Sequence, residues 1–127
     1  MRKIERCAMW KFVENEKGWL KVDPADHFPE GKLLGIRDWL EDDIQHSLRS
    51  LELFRDDWRR VRSGECEGTA GNSTEQTLVG DEVLFESLYE RWDDFAMPLA
   101  EMYEILDRYE DFLRERAARR RQAAAGG

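Results

Sequence analysis

Asp43-Ile44-Gln45-His46 sets a carboxylate and an imidazole three residues apart, the spacing that puts both on one helical face in carboxylate-bridged metal bundles. A dinuclear centre needs that unit twice plus two further inward carboxylates. The second histidine of the chain, His27, lies in a Pro-flanked stretch, so Asp43 and His46 read as a solvated helix face, with a small metal-dependent hydrolase using His46 as the enzyme alternative. Cys7 and Cys66 are the two thiols, far apart in sequence, and neither is tied by spacing to a histidine base. They read as reduced, non-catalytic thiols of a cytoplasmic protein. Carboxylates are too abundant for any Asp/Glu pair to stand out as a general acid and base. No cofactor is expected. The terminal Gly126-Gly127 is similar to the end of ubiquitin-like carriers, but follows an Ala/Arg run rather than a strand.

The distribution of charge says more than these motifs. Residues 65–113 carry 14 Asp/Glu against Arg91 and Arg108, a net of −12, whereas residues 1–64 balance at 13 of each sign. Residues 114–127 have five arginines against Glu115, a net of +4. A concentrated negative field favours a basic protein partner and disfavours nucleic acid, even with Arg119-Arg120-Arg121 behind it. No apolar run approaches the roughly 20 residues that span a bilayer, so no membrane association is expected.

The elements that must position this charge follow from periodicity. Trp10 and Phe12, the turn Asn15-Glu16-Lys17-Gly18, then Leu20 and Val22 predict a β-hairpin. From Ile36 the apolar residues recur at Leu40, Ile44, Leu48, Leu51, Phe54, Trp58 and Val61, predicting one amphipathic helix. Ser63-Gly64 ends it, and the Gly-rich residues 64–74 read as a mobile connection. Glu75–Val79 and Glu82–Leu88 flank Gly80-Asp81 as a second hairpin, with Val83 and Phe85 on one face and Leu84, Glu86 and Leu88 on the other. Pro98 suits the first turn of a last helix, whose stripe is Leu99, Met102, Leu106, Tyr109 and Leu113.

The expected fold is therefore α+β, ββαββα, a small antiparallel sheet covered on one face by two helices. A single domain over residues 1–116 and a disordered Arg/Ala/Gly tail over 117–127 complete it.

Within this frame the segment Asp81–Asp94 joins acids to aromatics. Asp81, Glu82, Glu86 and Glu90 are interleaved with Phe85 and Tyr89, and Trp92 stands beside Asp93 and Asp94. Large aromatics among charges are typical of interface hot spots, although they also serve to close a core. On the last helix Glu101, Glu104 and Asp107 extend the same field, and Arg108 neutralises part of it. The nine acids Asp81, Glu82, Glu86, Glu90, Asp93, Asp94, Glu101, Glu104 and Asp107, together with Trp92, form the candidate partner-binding surface.

The stretch from Gly80-Asp81-Glu82-Val83 through Trp92 and Met97-Pro98-Leu99 to Ile105–Leu113 resembles YacL-like small acidic bacterial proteins and immunity proteins of polymorphic or contact-dependent toxin systems. It covers roughly residues 72–113 and is a pattern of apolar positions. The resemblance implies a cognate inhibitor that occludes the basic active-site or substrate surface of a toxin domain, including nucleases. A DNA mimic, which would present regularly spaced exposed acids on both helices, and a housekeeping interaction protein are the alternatives.

Overall fold

The computed structural model describes residues 10–23 and 28–126; Cys7, His27 and Gly127 lie outside them. The protein is α+β, and the described residues form three α-helices and two small antiparallel sheets. Strands β1 (Phe12–Glu14) and β2 (Leu20–Val22) form the expected hairpin, Phe12 facing Val22 and Glu14 facing Leu20. Asn15 builds its turn: the side-chain oxygen accepts from the backbone N–H of Lys17 and of Trp19, both at 2.9 Å, and Gly18 takes the φ of +81° that a side chain would resist.

The long apolar stripe does not form one helix. Helix α1 (Glu30–Arg37) widens into a π-helical segment (Asp38–Ile44), and the chain breaks at Gln45 before α2 (Leu48–Arg62) restarts. The N–H of Gln45 reaches back five residues to the Leu40 carbonyl, and its φ of +66° ends the helix. Ser47 caps α2 by accepting from the Ser50 N–H at 3.2 Å. The stripe nonetheless stays inward through the break, with Ile36, Leu40, Ile44, Leu51, Trp58 and Val61 all buried.

The second half carries a four-stranded meander rather than a hairpin. Its order is β3 (Gly68–Ala70), β4 (Thr74–Val79), β5 (Glu82–Ser87) and β6 (Phe95–Pro98), all neighbours antiparallel. Residues 64–74, expected to be a mobile connection, include β3. Pairing with β4 and the Trp58 indole N–H donating to Thr69 Oγ1 at 3.0 Å hold that strand. Pro98 closes β6 and helix α3 (Leu99–Gly126) starts at the next residue, so the order is ββααββββα and not ββαββα.

The sheet turns Val83, Phe85 and Met97 inward against Trp39, Met102, Ile105 and Leu106, one core shared by helices and strands. Its hairpin side is closed by Tyr109 and Phe12, edge to face with centroids 6.0 Å apart.

The expected disordered tail is instead the end of α3. Arg119 donates to Glu14 on β1 at 2.8 Å, and Arg116 approaches the same carboxylate at 3.5 Å. Every described residue from Arg119 onward is nevertheless exposed. Deleting residues 117–127 should accordingly lower stability by no more than about 1 kcal/mol, the worth of an exposed ion pair, because no large apolar side chain leaves the core. Chemical denaturation of the truncated chain checks this; a loss of several kcal/mol would mean that the last turns are part of the folding unit.

Candidate functional site

The alternation of β5 decides which acids face outward. With Val83 and Phe85 buried, Glu82, Leu84 and Glu86 project to the opposite face, and Leu88 continues that row at 43% exposure. On β4 the outward row is Glu75, Thr77 and Val79, paired in register with Glu86, Leu84 and Glu82. Across from β5 on the other side, Ala96 faces Leu84 and Pro98 faces Glu82. The result is an open sheet face with apolar and small residues at its centre and three glutamates around them. Glu75, absent from the sequence-derived candidates, belongs to it; its signal was the alternation with buried Thr74 and Gln76, but only the register places it directly opposite Glu86.

The predicted candidates separate into three groups. Asp81 and Glu82 are exposed at the β4–β5 turn, Glu86 is half-buried on the outer face, and Glu90, Asp93 and Asp94 are exposed in the β5–β6 loop. None of these six acids forms an ion pair among the described residues, and neither does Glu75. That loop is shaped by the Ser87 hydroxyl oxygen, which accepts from the Arg91 N–H at 3.0 Å, and by Glu90 at a φ of +55°.

The second group lies on α3 and is largely committed elsewhere. Glu101 bonds Lys32 at 3.2 Å and accepts from the Trp10 indole N–H at 3.2 Å, tying α1 and the segment before β1 to α3. Asp107 takes Arg55 at 3.0 Å, and that guanidinium also reaches Glu110 at 3.2 Å. Arg114 and Arg55 together hold the Glu110 carboxyl below the usual range. Glu104 is half-buried. Glu101 and Asp107, read from the sequence as an extension of the acidic field, are thus neutralised from outside their helix: the lysine and arginine that face them come from α1 and α2, elements whose approach the α3 sequence does not encode.

Trp92, expected at the partner-binding surface, stands alone as the third case: its side chain is turned into the core. It is buried at 7% exposure, packs on Phe95 with centroids 5.3 Å apart, and donates its indole N–H to Asp38 Oδ2 at 2.9 Å. Arg91 Nε donates to the same oxygen at 2.9 Å. Asp38 is itself buried in the π-helical segment, so the loop carrying the exposed acids is fastened to the first half of the chain through one carboxylate. Gly35 lets the rings in: a Cβ there would lie 2.4 Å from Phe95 Cε1.

A second carboxylate performs the same task for the β3–β4 loop. Asp43 accepts from the backbone N–H of Ser73 at 2.8 Å and of Thr74 at 3.1 Å, and from the Thr74 hydroxyl. Asp42 accepts from the Ser73 hydroxyl at 2.8 Å through its side chain and from the Asn72 amide at 3.1 Å through its carbonyl. Burial raises the Asp43 pKa above the ordinary carboxylate value even though these donors oppose it.

This also disposes of the shared helical face read from Asp43 and His46. The break at Gln45 separates them: Asp43 turns to the β3–β4 loop, whereas His46 sits beside Tyr109 and Phe112, with ring centroids 6.4 and 6.3 Å away. Burial first and Arg116 second lower the His46 pKa, favouring the neutral imidazole. The Tyr109 hydroxyl donates to the Gln45 carbonyl at 2.8 Å and holds the break in place. Cys66 is an exposed free thiol just before β3.

Among the described residues no helix is long and apolar enough to cross a membrane. Compared with protein-family models, with curated proteins and with solved structures, the chain matches none.

Proposed function

We propose that this protein is a non-catalytic binding protein for a basic protein partner, acting as an immunity protein that neutralises a toxin domain by covering its cationic active-site or substrate surface. The supporting observation is the division of the acids. Among the described residues Glu101, Asp107, Glu110 and Asp111 of α3 have internal cationic partners and only Glu104 and Glu115 of that helix do not, while Asp81, Glu82, Glu86, Glu90, Asp93 and Asp94, with Glu75, are left on one strand, its two flanking loops and its neighbour without an ionic partner. An unneutralised field of this kind accelerates encounter with a positively charged surface and disfavours anionic competitors.

The DNA-mimic reading draws less support. It requires regularly spaced free acids on the helices, whereas Asp56 and Asp57 on α2 pair with Arg59 and Arg60, and Asp111 on α3 pairs with Arg108.

The test is a pair of charge reversals in the β5–β6 loop. Asp93 and Asp94 are exposed, so Asp93→Lys with Asp94→Lys should fold normally yet slow association with a basic toxin domain encoded beside this protein by about tenfold at low salt, with a smaller effect on dissociation. Stopped-flow association across a salt series, together with growth rescue on co-expression, reads both terms. A folded variant that binds and protects like the parent excludes this acidic surface as the interface.

A further inference from the structure

The open face of the four-stranded sheet sets apolar side chains among its acids. Along β5 its outward row reads Glu82, Leu84, Glu86, Leu88, acid and apolar in strict alternation, and Val79 beside it is 60% exposed. Residues two apart on one strand stand about 6.8 Å apart, so apolar and anionic contacts repeat along one line. Glu75 directly opposes Glu86, a like-charge cross-strand pair that costs stability until a cation comes between them. Sheets of this size are ordinarily covered on an apolar face by a further layer, and the inner face already has its helices.

We propose that this outward face docks an amphipathic α-helix of the cationic protein partner, its apolar side chains on Leu84 and Leu88 and its Lys/Arg groups over Glu75, Glu82 and Glu86. The inference rests on the basic-partner reading above and specifies how that partner is held. A segment lying on a sheet face receives no backbone hydrogen bonds from the strands beneath it, so it must satisfy its own, which a helix does. Strand addition at an edge is poorly served here: β3 has three residues and β6 ends in Pro98, which has no N–H to donate. The dimensions fit, since three strand spacings give roughly 14 Å of width for a helix about 10–12 Å across. Its successive i, i+4 side chains, about 6 Å apart, nearly match the repeat of the row beneath. A second copy of this chain is the wrong occupant, because it would bring the same glutamates and a net charge of −8 against them.

The probe is a synthetic Leu/Lys peptide of about 18 residues with its leucines on one helical face, long enough at 1.5 Å per residue to cross the sheet. An isomer of identical composition with scattered leucines is the control, and both are titrated into the isotope-labelled full chain by NMR. The amphipathic peptide should bind at least about tenfold more tightly than its isomer, shift the amides of Thr77, Leu84, Glu86 and Ala96, and lose that preference in Leu84→Ser. Leu88→Ser, beyond the end of the strand, gives a second variant, and unchanged melting of either confirms that folding is intact. Equal binding of both peptides overturns helix docking while leaving the acidic-surface reading in place. Binding of neither peptide counts against both. Preferential binding with shifts confined to other surfaces, or persisting in a folded Leu84→Ser, overturns the docking face alone.

Discussion

Trp92→Ala is expected to destabilise the fold by about 3–5 kcal/mol, the range for truncating a buried aromatic to alanine. The ring fills the space beside Gly35 and Phe95, so its removal leaves a cavity, and the buried Asp38 carboxylate loses one of its two donors. Trp92→Phe separates these contributions: it restores most of the volume without the indole N–H, and should cost about 1.5–3 kcal/mol, the worth of a hydrogen bond to a charged group. Urea unfolding followed by circular dichroism measures both. An alanine variant with unchanged stability and weakened partner binding would instead return Trp92 to the interface. The consequence for function is indirect: this tryptophan positions the loop that bears Glu90, Asp93 and Asp94, so conservative repair of the core should also restore binding.

Asp43→Ala should be nearly as costly, about 2–4 kcal/mol, because it strands the backbone donors of Ser73 and Thr74 and the buried Thr74 hydroxyl at once. Water can reach part of the site, which keeps the loss below the sum of separate deletions. The pH dependence gives a second readout. A carboxyl whose folded pKa is raised contributes stability that is complete below its unfolded pKa of about 4 and is lost as pH rises through the higher folded value. Asp43 is such a group, raised by burial. Asp43→Asn, which keeps one acceptor and cannot ionise, should therefore lose less stability relative to the parent at neutral pH than in acid. Parallel stability curves between about pH 3.5 and pH 7 would show that Asp43 titrates alike in both states. Glu41, also raised by burial where it accepts the Leu20 N–H at 2.8 Å, contributes with the same sign in both proteins and cancels in the comparison.

Local pattern was sufficient wherever an element is defined by its own buried stripe. The Phe12–Val22 hairpin, the alternation of β4 and β5, and the inward residues of α2 and α3 are all legible, because period 2 and period 3.6 sort residues by face without reference to a partner. The charge blocks were equally legible, since net charge needs no fold. The break at Gln45 was invisible for the same reason: Leu40, Ile44 and Leu48 keep a spacing of four through the π-helical segment, and the residue that secures the break, Tyr109, comes 64 positions later. Gly68–Ala70 has no strand signal of its own and becomes β3 only against β4 and Trp58, while β6 forms only against β5. Tertiary structure also decided which acids are free. Lys32 and Arg55 neutralise Glu101 and Asp107 across distances of 69 and 52 residues, and Asp38 draws Trp92 inward across 54. A side chain's own chemistry makes it able to bind outward; whether it does is set by the partners that folding brings within about 3 Å of it, and those pairings are not written in local sequence.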